Sequence, residues 1–130
     1  MTKVSCGLIA ALSGLVLAFT AAPLAVAKDG DVLVRGMCTG STTSKLKLSE
    51  EDGRIEVEFE VDQNRNGVQW NVSIFRNGNR VARMTKVTRG PSGSFEARAL
   101  VANGAGTDTI RARATRPSGA VCTAAASWRR

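Results

Sequence analysis

The sequence predicts an all-β fold, a seven-stranded antiparallel β-sandwich preceded by a cleaved signal peptide. Three observations carry this reading. Residues 54–62 alternate strictly, with Ile55, Val57, Phe59 and Val61 set against Glu56, Glu58, Glu60 and Asp62. A period of two with charge on every second residue describes a strand with one wet face. Further short alternating runs recur along the chain, separated by Asn77-Gly78, Pro91-Ser92-Gly93 and Pro117-Ser118-Gly119, which are turn sequences of the kind that joins antiparallel strands. Finally, the first 27 residues have the composition of an export signal and no place in a fold.

That signal is read from its parts. Met1-Thr2-Lys3 is a short positive start, residues 8–19 form an apolar run, and Ala25-Val26-Ala27 supplies the small-x-small pattern of a cleavage site. The apolar run is shorter than the roughly 20 residues a bilayer needs. Cys6 lies before the run, so it does not fit a lipoprotein anchor. The rest, residues 28–130, is expected to form one domain with no membrane span after processing, secreted or held at the cell surface by binding. Cys38 and Cys122 are the thiols that remain, and in an exported domain they are expected to pair.

The strands follow in order. Residues 44–49 (strand A) place Leu46 and Leu48 inward with Lys45 and Lys47 outward. Strand B is residues 54–62. Residues 69–76 (C) place Trp70, Val72 and Ile74 on one face, opposite Asn71, Ser73 and Phe75. Asn77-Gly78 turns the chain into residues 80–88 (C′). Residues 94–101 (E), 108–115 (F) and 120–128 (G) complete the seven, and residues 32–37 are expected to add a short edge strand.

This order resembles an immunoglobulin or fibronectin type III sandwich, which implies A-B-E and G-F-C-C′ sheets. Trp70 falls on the third strand, where such domains carry a core tryptophan. Residues 102–110 are similar to the E–F corner, with Ile110 where antibody domains have their second cysteine and Val57 or Phe59 where they have the first. The chain has no Tyr, hence no tyrosine corner, and its cysteines join the domain start to strand G. With Gly90-Pro91-Ser92-Gly93-Ser94-Phe95 and Ala105-Gly106-Thr107-Asp108, the chain also resembles small exported actinobacterial proteins of unknown function. That resemblance implies a compartment and a fold, and no activity.

Charge is unevenly distributed. The chain carries 18 basic and 11 acidic residues. Residues 28–62 have 5 basic and 9 acidic groups, whereas residues 63–130 have 12 and 2. On the A-B-E sheet, the acids of strand B stand between Lys45 and Lys47 on A and Arg98 on E, an arrangement for cross-strand pairing. On the G-F-C-C′ sheet, Arg111 and Arg113 project from F, with Arg76, Arg80 and Arg83 at or near the C–C′ hairpin and Asp108 the lone acid. Arg111, Arg113, Arg76 and Arg83 are therefore the candidate anion-binding face, set against the reading that they only keep the sheet soluble.

The chain contains no His, which excludes nucleophile–histidine catalysis and the commonest metal ligation. Same-face carboxylates on strand B are spaced about 6.6 to 7 Å, a separation compatible with inverting glycoside hydrolysis, but no sugar platform accompanies them. Asp62-Gln63-Asn64-Arg65-Asn66-Gly67 begins like a calcium loop, yet Ser73 stands where the bidentate glutamate belongs. No cofactor, metal or enzyme activity is expected. Nucleic acid is not an expected partner either, for want of stacking platforms. The sequence points to an exported non-catalytic binding or interaction domain, for a cell-wall polyanion or another exported protein. A small-molecule carrier of the immunoglobulin-like chromophore-binding type is the alternative, and an exported hydrolase or inhibitor a further one. A deep apolar cleft would mark the carrier and a flat basic sheet the binder.

Overall fold

The computed structural model describes residues 30–129; the segment read as a signal peptide lies outside them. Nine strands run through the described residues: β1 (Val32–Arg35), β2 (Met37–Cys38), β3 (Thr43–Glu51), β4 (Arg54–Asp62), β5 (Gln69–Arg76), β6 (Asn79–Val87), β7 (Ser94–Val101), β8 (Thr107–Thr115) and β9 (Val121–Arg129). All pairings are antiparallel. One sheet has the order β1-β3-β4-β7 and the other β2-β9-β8-β5-β6.

The seven expected strands are β3 to β9, divided between the sheets as the sequence predicts. The start of the domain differs. In place of one edge strand over residues 32–37, the chain makes two, which break at Gly36 and join different sheets. A Cβ on Gly36 would overlap the Ser44 hydroxyl and come within 2.7 Å of the Thr123 carbonyl oxygen. Only a residue without a side chain lets the chain cross so close to β3 and β9.

Alternation fixes which side chains reach the core. On β4, Ile55, Val57, Phe59 and Val61 are fully buried while the acids between them are half-buried. Leu46 and Leu48 of β3 join them from the same sheet. From the other come Trp70, Val72 and Ile74 of β5 and Ile110 of β8, with alanines at 112, 114, 124 and 126. Large groups from one layer thus meet small ones from the other across the core. Each fully buried large apolar side chain contributes about 1.5 to 3 kcal/mol before entropy is charged. Trp70 donates its indole N–H to Gln63 Oε1 at 2.9 Å, which satisfies the one polar atom that its burial would otherwise strand.

Cys38 and Cys122 are bonded, as expected. They are register partners on β2 and β9, and their Cα atoms stand 4.1 Å apart.

The β6–β7 turn explains its glycine. Gly93 has φ +70°, and a Cβ there would fall on the Arg65 backbone. Its N–H donates to the Arg89 carbonyl at 3.0 Å, and its own carbonyl accepts from Gln63 N at 3.1 Å. Gly93→Ala is expected to cost roughly 2 to 4 kcal/mol, from left-handed backbone strain plus overpacking against a neighbouring loop. Urea denaturation of the variant measures it. A stability loss under about 0.5 kcal/mol would show that the turn yields freely.

Candidate anion-binding surface

The outer face of the five-stranded sheet is built by the odd-numbered positions of β5, β8 and β9. Register places their side chains in rows across the sheet. Arg83 of β6, Ser73 of β5, Arg113 of β8 and Thr123 of β9 form one row; Arg80, Phe75, Arg111 and Ala125 form the next. A bulge between Ile74 and Phe75 absorbs Val81 and brings Arg80 into line. With neighbouring strands about 4.8 Å apart and same-face residues about 6.6 to 7 Å apart, Arg80, Arg83, Arg111 and Arg113 mark the corners of a rectangle roughly 7 by 10 Å.

All four are exposed, and none takes part in an ion pair among the described residues. The Arg111 guanidinium lies 5.8 Å from the centroid of the Phe75 ring, a cation–π contact that helps hold its position. The strands of this sheet carry a single acid, Asp108, and that acid is buried on the other face.

Arg76 has to be removed from the set. It shares the parity of Trp70, Val72 and Ile74, so it points inward, and its guanidinium meets Asp108 Oδ1 at 2.8 Å. Asp108 is only 1% exposed and also accepts from Asn77 Nδ2 at 3.0 Å and Gly104 N at 2.9 Å. Asn77 in turn accepts from Thr109 N at 2.8 Å. Both residues of the Asn77-Gly78 turn have positive φ, 50° and 82°, which matches the twist of a two-residue hairpin. One carboxylate therefore ties together the β5–β6 hairpin, the β7–β8 corner and the start of β8. Burial pushes the Asp108 pKa up; the Asn77 and Gly104 hydrogen bonds and the Arg76 charge outweigh it and hold the group below the usual aspartate value.

The four-stranded sheet presents the opposite picture. Glu56 pairs with Arg98 at 2.7 Å, Glu58 with Lys47 at 3.5 Å and Glu60 with Lys45 at 3.5 Å. The Arg98 hydrogen bond, followed by one from Glu58, holds the Glu56 pKa at about 2. Glu58 is raised, first by burial and then by Glu56 and Glu96. These carboxylates stand on the outer face of a sheet with their counter-charges beside them, so they act as cross-strand pairs.

The calcium-like segment is a turn. Asp62 Oδ1 accepts from Asn64 N at 2.9 Å, and Asn64 has φ 54°. The buried Thr88 closes the loop: its hydroxyl donates to the Arg65 carbonyl at 2.5 Å and accepts from Val68 N at 2.9 Å. Among the described residues, no group of three or more His, Cys, Asp or Glu is placed to hold a metal.

Two surface depressions accompany the sheets. One of about 370 Å³ lies between the β6 and β7 edges, lined by Lys86, Val87, Arg89 and Phe95 among others. A second, of about 260 Å³, lies beside Arg111, where β1 passes into β2.

No family model matches the chain, and no curated protein matches it. A solved structure similar to it is the crystal structure of chicken MD-1 complexed with lipid IVa, at 12% sequence identity and a TM-score of 0.30, over 75% of this chain and 97% of that one. At that TM-score the likeness carries no argument about function.

Proposed function

We propose that the protein is an exported, non-catalytic binding domain whose five-stranded sheet engages an anionic polymer of the cell envelope. The observation that carries this reading is the outer face, which among the described residues holds five exposed arginines (Arg80, Arg83, Arg111, Arg113 and Arg129) and no carboxylate. Guanidinium forks suit phosphate and carboxylate groups, and a flat array of them serves an extended polymer without needing a pocket. Export is supported by the disulfide, which suits an oxidising compartment. No helix among the described residues is long and apolar enough to cross a membrane.

The test is the double change Arg111→Ser with Arg113→Ser, assayed against a purified teichoic-acid-type polymer at low and moderate salt. An exposed ion pair contributes about 0.2 to 1 kcal/mol, so losing two such contacts is expected to weaken binding up to about thirtyfold. The parent is expected to weaken as salt rises, because the Debye length is about 8 Å at physiological ionic strength. Exposed substitutions of this kind change stability by no more than about 0.5 kcal/mol each, which separates lost binding from unfolding. Equal binding by parent and double variant, or no salt-dependent binding by the parent, overturns the reading.

A further inference from the structure

β6 ends the five-stranded sheet on one side: among the described residues it pairs with β5 and with no other strand. From Ala82 to Val87 its register with β5 is unbroken, and Val81 is the bulge residue before that stretch. A strand at the end of a sheet leaves a row of backbone N–H and C=O groups outside the ladder, a template for one more strand. Along β6 stand Arg80, Arg83 and Lys86 and no acid. Arg80 and Arg83 are exposed on its outer flank. Ala82 and Met84 lie on the inner flank, half-buried and packed against the core. At the Val87 end that flank runs into the depression of about 370 Å³, between Lys86 and Val87 of β6 and Phe95 of β7. The other long edge differs. β7 carries one acid and one base, Glu96 and Arg98, and Arg98 is already bonded to Glu56.

We propose that the β6 edge receives an extended segment of another protein whose side chains alternate acidic and apolar. In such strand addition, main-chain hydrogen bonds supply affinity and alternate side chains select the partner. On the outer flank, acids of the added strand face Arg83 and, beyond the bulge, Arg80. Each opposite-charge pair across two strands strengthens the pairing up to about fivefold. On the inner flank, its apolar side chains extend the surface of Ala82 and Met84 and reach the depression beside Phe95. The straight stretch from Ala82 to Val87 presents roughly 20 Å of edge, enough for a segment of about six or seven residues. A second copy of this chain is the poorer occupant. Two β6 edges would set cation against cation, and like charges directly opposite destabilise a strand pair. Edge docking uses the backbone of β6, whereas the polymer lies across the face, so neither requires the other.

The probe is the terminally blocked peptide Thr-Glu-Val-Glu-Val-Glu-Thr, titrated into the folded protein at low salt and followed by backbone amide NMR shifts and hydrogen exchange. Shifts are expected to centre on residues 80–87, and saturation is expected to slow exchange of the β6 amides that face away from β5 by about tenfold or more. The same peptide N-methylated at its five central residues cannot donate to either side and is expected to bind about tenfold more weakly or worse. Gln in place of its three Glu is expected to cost about threefold or more, and Arg83→Glu, at an exposed position, about fivefold. Arg111→Ser with Arg113→Ser, which removes polymer binding, leaves peptide binding within about twofold, since β8 lies two strands away and beyond a Debye length of about 8 Å. The two readings therefore fail separately. Unchanged exchange at the β6 amides, or equal binding of the N-methylated peptide, overturns edge docking. Equal binding of the Gln peptide overturns the acidic class. Protection of β6 that grows with protein concentration before any peptide is added overturns the choice of occupant in favour of a second copy.

Discussion

Replacing both Cys38 and Cys122 by alanine is expected to lower the unfolding free energy by about 4 to 5 kcal/mol. The bond spans 84 residues, so its removal releases a long loop in the unfolded chain, and chain entropy gives that magnitude. A domain of this size has only about 5 to 15 kcal/mol in total. The native state loses something as well. β2 is two residues long, with Met37–Thr123 and Cys38–Cys122 as its register pairs with β9 and the Thr39 N–H to Val121 carbonyl bond at 2.9 Å just beyond, so the covalent bond reinforces a short seam. Guanidinium denaturation of oxidised parent and double variant measures the loss, and hydrogen exchange at residues 37–39 reads the fraying of β2. A difference below about 1 kcal/mol would show that the bond sits on a segment already held by its contacts.

The strands from β3 to β9 were legible because their alternation is clean, and the disulfide because two thiols remained to pair. Sheet membership followed from the same alternation, since each run had one apolar face to bury. The division of residues 32–37 was not legible. Val32 and Val34 continue the alternation, and the tightness at Gly36 arises from Ser44, Thr123 and Ala124, which sequence places far away. Arg76 is a different case. The period of two that assigns Trp70, Val72 and Ile74 to the core assigns Arg76 there as well; its charge drew it into the surface set instead. The same parity places Asp108 with Ile110, Ala112 and Ala114. An inward cation and an inward acid, at the ends of neighbouring strands, were the available signal for the ion pair.

That pair changes how the basic face should be understood. With Arg76 and Asp108 neutralising one another inside the corner, the remaining arginines of the five-stranded sheet have no counter-charge on their own face among the described residues. The central acids of the four-stranded sheet, Glu56, Glu58 and Glu60, are paired with Arg98, Lys47 and Lys45. The charge asymmetry seen along the sequence thus becomes an asymmetry between two layers, one acidic with its central carboxylates paired and one basic with its outward arginines unpaired. Uncompensated charge spread over a rigid sheet attracts polyanions and keeps the sheet from pairing edge to edge.

Asp108→Ala is expected to cost roughly 2 to 4 kcal/mol at neutral pH. Breaking a buried ion pair by removing one partner typically costs about 3 to 5 kcal/mol, and the partly exposed Arg76 side chain recovers some solvation, which lowers the figure. The loss also strands the Gly104 and Asn77 donors at the β7–β8 corner, which Asp108 ties to the start of β8. The folded-state pKa of Asp108 lies below its unfolded value. Its contribution is therefore fully present above the unfolded value of about 3.9 and is lost as pH falls from there through the folded pKa. The stability gap between parent and Asp108→Ala should accordingly be widest at neutral pH and narrow below about pH 3.9. Asp108→Asn, which keeps an acceptor but not the charge, should fall between them at neutral pH. Denaturant titrations of the three proteins at pH 7 and pH 3 decide the matter. A gap that stays constant between those pH values would mean that the side chain's shape holds the corner and that its ionised carboxylate does not.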